Sequence, residues 1–203
     1  AYGRDITRLF SETLEARGGK MVRVETFAAD GPREHDAELR RLIAADVDAI
    51  LLPSFVVHDS AQIRIARSLG FRGTFLGSDA WDIITLQRRD DAVGSVVVAN
   101  WDRRIQREEV QRFIAAWTAR YTERPRATAA ATYDAIKLLA EAATLAGTRS
   151  GGAVADSLRR PREWSGAFTA YRFVGTGDPQ RGAVILEINK DSTLVRAVQD
   201  AIR

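Results

Sequence analysis

The segment Asp48-Ala49-Ile50-Leu51-Leu52-Pro53-Ser54 constrains the fold more than any other stretch of the chain. Its apolar run is short, unbroken, and closed by a proline and a hydroxyl residue. A run of that length without a polar face suits a strand buried on both sides, as in a parallel sheet covered by helices. The neighbouring patterns agree. Ile6, Leu9, Phe10, Thr13 and Leu14 recur at helical spacing over 5–17, and Gly18-Gly19 ends that helix. Met21 to Phe27 alternates Val22, Val24 and Thr26 against Arg23 and Glu25, which predicts a strand before a turn at Asp30-Gly31-Pro32. A helix over 34–45 turns Leu39, Leu42 and Ile43 inward. Asp59-Ser60 offers the N-cap of a helix that runs through Leu69 and stops at Gly70. Thr74 to Leu76 and Gly94 to Ala99 predict two further strands, with a short helix over Asp82 to Leu86 between them.

This alternation predicts an α/β fold with a doubly wound parallel sheet. The series begins with a helix, whereas a right-handed crossover needs a strand on each side. A strand is therefore expected before Tyr2, and the N-terminal part of the fold is expected to be missing. The second half reads differently. Helices are predicted over 106–121, with Val110, Phe113, Ile114, Trp117 and Tyr121 on one face, and over 128–145, with Tyr133, Ile136, Leu139 or Ala140, and Ala143 inward. A short helix to about Leu158 follows. Strands are then predicted over 168–173 and 183–188, joined by a hairpin-like Gly175-Thr176-Gly177-Asp178-Pro179, with a last strand over 193–198.

Composition narrows the chemistry. With no cysteine, disulfides, thiolate metal sites and cysteine nucleophiles are excluded. The net charge of +3 comes from basic residues interleaved with acids, as in Arg107-Glu108-Glu109, so no basic stripe suited to nucleic acid forms. No apolar run reaches the roughly 18 to 20 residues that span a bilayer, so no membrane insertion is expected. His35 and His58 stand far apart in the pattern, and neither has a second ligand at metal spacing. Gly175-Thr176-Gly177 begins like a dinucleotide fingerprint, but Gln180 breaks it and the segment joins two strands. No nucleophile, metal set or cofactor site stands out, so no enzyme and no cofactor are expected.

Tyr2-Gly3, the run Asp48 to Ser54, Leu76-Gly77-Ser78-Asp79-Ala80-Trp81, Tyr133-Asp134-Ala135 and the ending Tyr171-Arg172-Phe173 with Gly177-Asp178-Pro179 occur in that order. Together they resemble the type I periplasmic binding proteins, in particular the leucine/isoleucine/valine-binding receptors of ABC transporters. The resemblance implies two doubly wound lobes joined by three crossing segments. Residues 1–98 and 184–203 would form the second lobe, and 99–183 the C-terminal part of the first, whose remainder is absent. It also implies a small polar solute such as an amino acid, held in the interlobe cleft by hinge closure and passed to a membrane permease, in a periplasmic or extracellular location. The same fold serves as the ligand-sensing domain of receptors and regulators, which is the alternative function.

Ligands of open α/β sheets sit beyond the carboxyl ends of the strands, where loops diverge and helix N-termini point their amides inward. That rule selects Ser54 and Phe55 after one strand and Ser78, Asp79 and Trp81 after the next. Asp79 either pairs with a solute ammonium group, as the resemblance implies, or caps the short helix after it. Tyr2 matches a family tyrosine that packs on the ligand, and Phe55 a position that covers apolar ligand atoms. Ser54 either donates its hydroxyl to the ligand or caps the next helix. Trp81 is a cleft wall or a core residue, and Tyr133 is read as core.

Overall fold

The computed structural model describes residues 2–27, 35–54, 56–81 and 83–199. Its helices are α1 (Tyr2–Ala16), α2 (Asp36–Ile43), α3 (Val56–Ser68), α4 (Ile83–Leu86), α5 (Glu108–Thr118), α6 (Ala127–Ala146) and α7 (Gly151–Arg159). Its strands are β1 (Ala49–Leu52), β2 (Thr74–Gly77), β3 (Val96–Ala99), β4 (Arg162–Ser165), β5 (Ala170–Phe173), β6 (Gln180–Arg181), β7 (Ala183–Asn189) and β8 (Ser192–Gln199). The chain divides into two compact units, one of residues 1–98 and 185–196, the other of 99–184 and 197–203.

The first unit is built on a five-stranded sheet in the order β1-β2-β3-β7-β8. β1, β2 and β3 are parallel, as continuous apolar runs separated by helices require. β7 and β8 are joined through Lys190 and Asp191, and Asp191 takes a positive φ of 56°, a conformation that aspartate tolerates better than most side chains. The core centres on the β2 face that carries Phe75. Phe75 is fully buried against Ile50, Ile63, Ala66, Val97 and Ile188. Arg67, from the last turn of α3, lays its guanidinium 4.5 Å over the Phe75 ring and donates to the carbonyls of Phe71 and Gly73, which fixes the loop entering β2.

The second unit packs Trp101, Val110, Phe113, Ala130, Ala167 and Phe168 around α5 and α6. Beside them lies a three-stranded sheet, β4-β5-β6, with both pairs antiparallel.

Several elements depart from the sequence reading. Met21 to Phe27 is not a strand, and Val22 and Val24 are exposed. Alternation marks a chain able to pair, but β1 is the edge of the described sheet and pairs with β2. The predicted turn at 30–32 lies outside the described residues. The strand over 168–173 is shortened to β5, which pairs with β4 and β6, while β7 joins the five-stranded sheet, so 175–179 does not close a hairpin between β5 and β7. α3 begins at Val56, so Asp59 lies inside its first turn and is not an N-cap. On α6, Tyr133, Ile136 and Leu139 are exposed, and the buried positions are Ala130, Asp134 and Ala142. Tyr121 is likewise exposed beyond the end of α5.

Gly77, the last residue of β2, shows why the sheet needs a glycine there. A methyl group on its Cα would lie 2.4 Å from Cδ2 of the Trp81 indole. Gly77→Ala is expected to cost about 1–3 kcal/mol through overpacking, read as a lower guanidinium midpoint at unchanged slope.

Candidate functional site

β1 and β2 run in register with Leu52 beside Gly77. The chain leaves each strand in the same direction, so Pro53-Ser54 and Ser78-Asp79 emerge next to one another at the carboxyl ends. The first turn of α1 closes on this rim: Gly3 sits so near Pro53 that an added Cβ would be 3.1 Å from the Pro53 carbonyl. A bulkier residue at position 3 would push α1, and Tyr2 with it, away from the strand ends.

Tyr2 donates its phenol hydroxyl to Asp79 Oδ1 at 2.7 Å. Burial holds the Tyr2 pKa above its ordinary value; a Ser78 hydrogen bond opposes this, while the Asp79 and Asp59 charges add to it. The phenol is therefore a donor at neutral pH. Asp79 is exposed, and its carboxylate is presented to solvent at the tip of the turn after β2. That turn is closed by Ser78, whose hydroxyl accepts from the Ala80 N–H at 3.4 Å and whose carbonyl accepts from the Trp81 N–H at 3.2 Å. α4 begins at Ile83, so Asp79 is too far upstream to cap it.

Trp81 is buried in the core, with its ring over Gly77 and its indole N–H donating to the Leu52 carbonyl at 3.0 Å. It pins the loop after β2 to the end of β1. Ser54 is also buried. Its hydroxyl is engaged by two side chains of α3, lying against Asp59 Oδ1 and 3.0 Å from Gln62 Oε1. Its hydroxyl is thus held within the protein by the side chains of α3. Phe55 lies outside the described residues.

The sequence reading passed over two features. Asp59 is fully buried, with Oδ2 lacking a hydrogen-bond partner, and burial pushes its carboxyl up to about 7 against the opposing Ser54 bond. Its signal was the polar pair Asp59 and Gln62, three residues apart on one helix face behind Ser54. His35 and His58, read as far apart, are both buried, with His35 Nε2 3.4 Å from His58 Nδ1 and the Phe27 ring centroid 4.0 Å from that of His35. The packing of α2 on α3 brings them together. Among the described residues, no cluster of three or more His, Cys, Asp or Glu side chains has metal-binding geometry. What the rim presents to solvent is an acidic oxygen pair backed by a phenol, a surface suited to a donor-rich or cationic group.

The family model described as "Periplasmic binding protein" matches residues 1–193. A leucine binding protein from Thermotoga maritima superimposes with a TM-score of 0.88 at 23% identity, covering 98% of this chain and 57% of that one. An ABC transporter substrate-binding protein from Desulfitobacterium hafniense, solved in complex with Leu, gives 0.77 at 24% identity, covering 96% and 57%. A solute binding protein of an ABC transporter from R. palustris, in complex with benzoate, gives 0.80 at 15% identity, covering 98% and 56%. The chain thus spans somewhat over half the length of the solved structures it matches. No curated relative matches in sequence. At these identities the superpositions establish the fold, and with a family model that covers nearly every residue, the chain belongs to the periplasmic binding protein family.

Proposed function

We propose that this chain is a solute receptor of an ABC transporter, acting outside the cytoplasm, and that it takes a small ammonium-bearing solute, an amino acid in the first instance, at the rim formed by β1, β2 and α1. The observation that carries this reading is the exposed Asp79 carboxylate, held by Tyr2 at the carboxyl end of a parallel strand. Its oxygens would accept charge-assisted hydrogen bonds from an ammonium group, and the Tyr2 ring would lie beside the solute. Ser54 and Trp81 support the rim from beneath. Residues 1–98 and 184–203 would correspond to one lobe of the family's pair and 99–183 to part of the other, and a membrane permease would be the partner that receives the solute. Among the described residues no helix is long and apolar enough to cross a membrane.

The benzoate-bound neighbour favours a second reading, an aromatic carboxylate solute. An acidic rim opposes it, because an anion brought beside Asp79 would meet like charge. Thermal shift separates the two. A panel of amino acids, amides and carboxylates including leucine and benzoate should show stabilisation growing as RT ln(1 + [L]/Kd) for ammonium-bearing compounds. A shift with benzoate and none with any amino acid would overturn the amino-acid reading.

A further inference from the structure

We propose that Asp59 is a positioning residue held as a neutral acid at the head of a buried hydrogen-bond chain, Asp59 to Ser54 to Gln62, and that solute capture at the rim displaces its proton. The first half stands on the contacts and the burial of Asp59; the second rests on the function proposed above.

The Ser54 hydroxyl has one proton and two oxygen neighbours, Asp59 Oδ1 and Gln62 Oε1. If Asp59 were ionised, both neighbours would only accept, and one buried contact would set acceptor against acceptor. A neutral Asp59 resolves this: the acid donates to Ser54, and Ser54 donates to Gln62. Turning the Gln62 amide would relieve Ser54, but it would leave a full negative charge on a residue with no exposed surface and one oxygen, Oδ2, without a partner.

Among the described residues, no Arg or Lys pairs with Asp59. Gln62 shares the Ser54 hydroxyl with it, and the Tyr2 phenol lies within reach of its charge. The two histidines face each other and Phe27. Burial pushes the Asp59 carboxyl up to about 7, consistent with the proton count.

In this arrangement the Ser54 proton points inward to Gln62 and is not offered to the rim, where the exposed Asp79 carboxylate selects for a donor group. A charge on Asp59 would be felt at the Tyr2 phenol, which is bonded to Asp79. A solute ammonium group at Asp79 and Tyr2 therefore brings positive charge toward Asp59 and favours its ionised form. Affinity for such a solute should rise with pH below the Asp59 midpoint, approaching about tenfold per pH unit for one linked proton.

The sign without solute follows from the raised value. The folded protein holds this proton more tightly than the unfolded chain, whose carboxyl titrates near 3.8. The stabilisation is full below pH 3.8 and is lost as pH rises to about 7.

Three measurements on the 203-residue chain test this. The Asp59 side-chain carboxyl resonance should titrate near pH 7 without solute; completion below pH 5 overturns the neutral acid. Asp59→Asn keeps a donor to Ser54 and removes the titration, so its unfolding midpoint should lack the fall between pH 4 and 7 that the parent shows, and identical pH slopes overturn the chain. Leucine calorimetry at pH 7 in phosphate and in Tris should show proton release for the parent and none for Asp59→Asn. Leucine binding with no buffer dependence in the parent overturns the linkage. No leucine binding by either protein at any pH overturns the amino-acid function and the linkage together, while the resonance still decides the state of Asp59.

Discussion

Asp79→Ala should weaken leucine binding by about 2 kcal/mol, roughly 30-fold in Kd, with the unfolding midpoint little changed. The two readouts part because of where the residue stands. Asp79 is exposed in the free protein, so its removal opens no cavity in the core, and the bond from Tyr2 that goes with it is an exposed one. On the proposed function, a solute covering the rim would make the carboxylate the counter-charge of a partly dried ammonium group, and its loss would then be felt in full. Tyr2→Phe removes the 2.7 Å bond but keeps the ring, so it should cost less than Asp79→Ala. Isothermal titration of both variants checks the order. An Asp79→Ala affinity within twofold of the parent would remove this residue from the site.

Asp134→Ala should be the most damaging single change in the second unit, at about 3 kcal/mol or more. Asp134 is buried in α6, and each of its oxygens accepts a backbone N–H at 2.7 Å, one from Ala167 and one from Phe168. Burial raises its pKa against the opposing pull of those amides. Truncation leaves two donors in the core without acceptors, next to the buried Ala167 and Phe168 side chains that pack on α5 and α6. Gly166 completes the arrangement, since a Cβ there would lie 2.2 Å from Asp134 Oδ2. Asp134→Asn retains one acceptor oxygen and should fall between the parent and the alanine variant. Guanidinium unfolding gives the ranking, and hydrogen exchange at Ala167 and Phe168 localises the loss.

The parallel strands and the rim were legible in the sequence because each rests on a local pattern. Ala49 to Leu52 and Thr74 to Gly77 are uninterrupted apolar runs with polar residues at their carboxyl ends, and paired in register such runs bring those ends together. Where burial is decided by tertiary demand, periodicity misled. α6 is rich in alanine and apolar on most sides, so a 3.6-residue period does not select its inner face. The choice fell to Asp134, which the loop at 166–168 needs as an acceptor, and Tyr133, Ile136 and Leu139 were rotated outward as a result. Asp59 resembled a cap because caps are the common use of aspartate near a helix start. Its burial depends on α3 beginning three residues earlier, which no local signal marked. The pairing of His35 with His58 depends on one helix packing against another and left no trace in spacing.

α1 contains no buried residue, yet its first residue supplies the phenol that grips Asp79. Such a helix adds little to the cohesion of the core. If the rim takes a solute as proposed, docking of α1 and occupancy of the rim would be coupled through the bond from Tyr2 to Asp79. A bound solute would fasten the helix in place, and whatever loosens the helix would release the solute without disturbing the strands beneath.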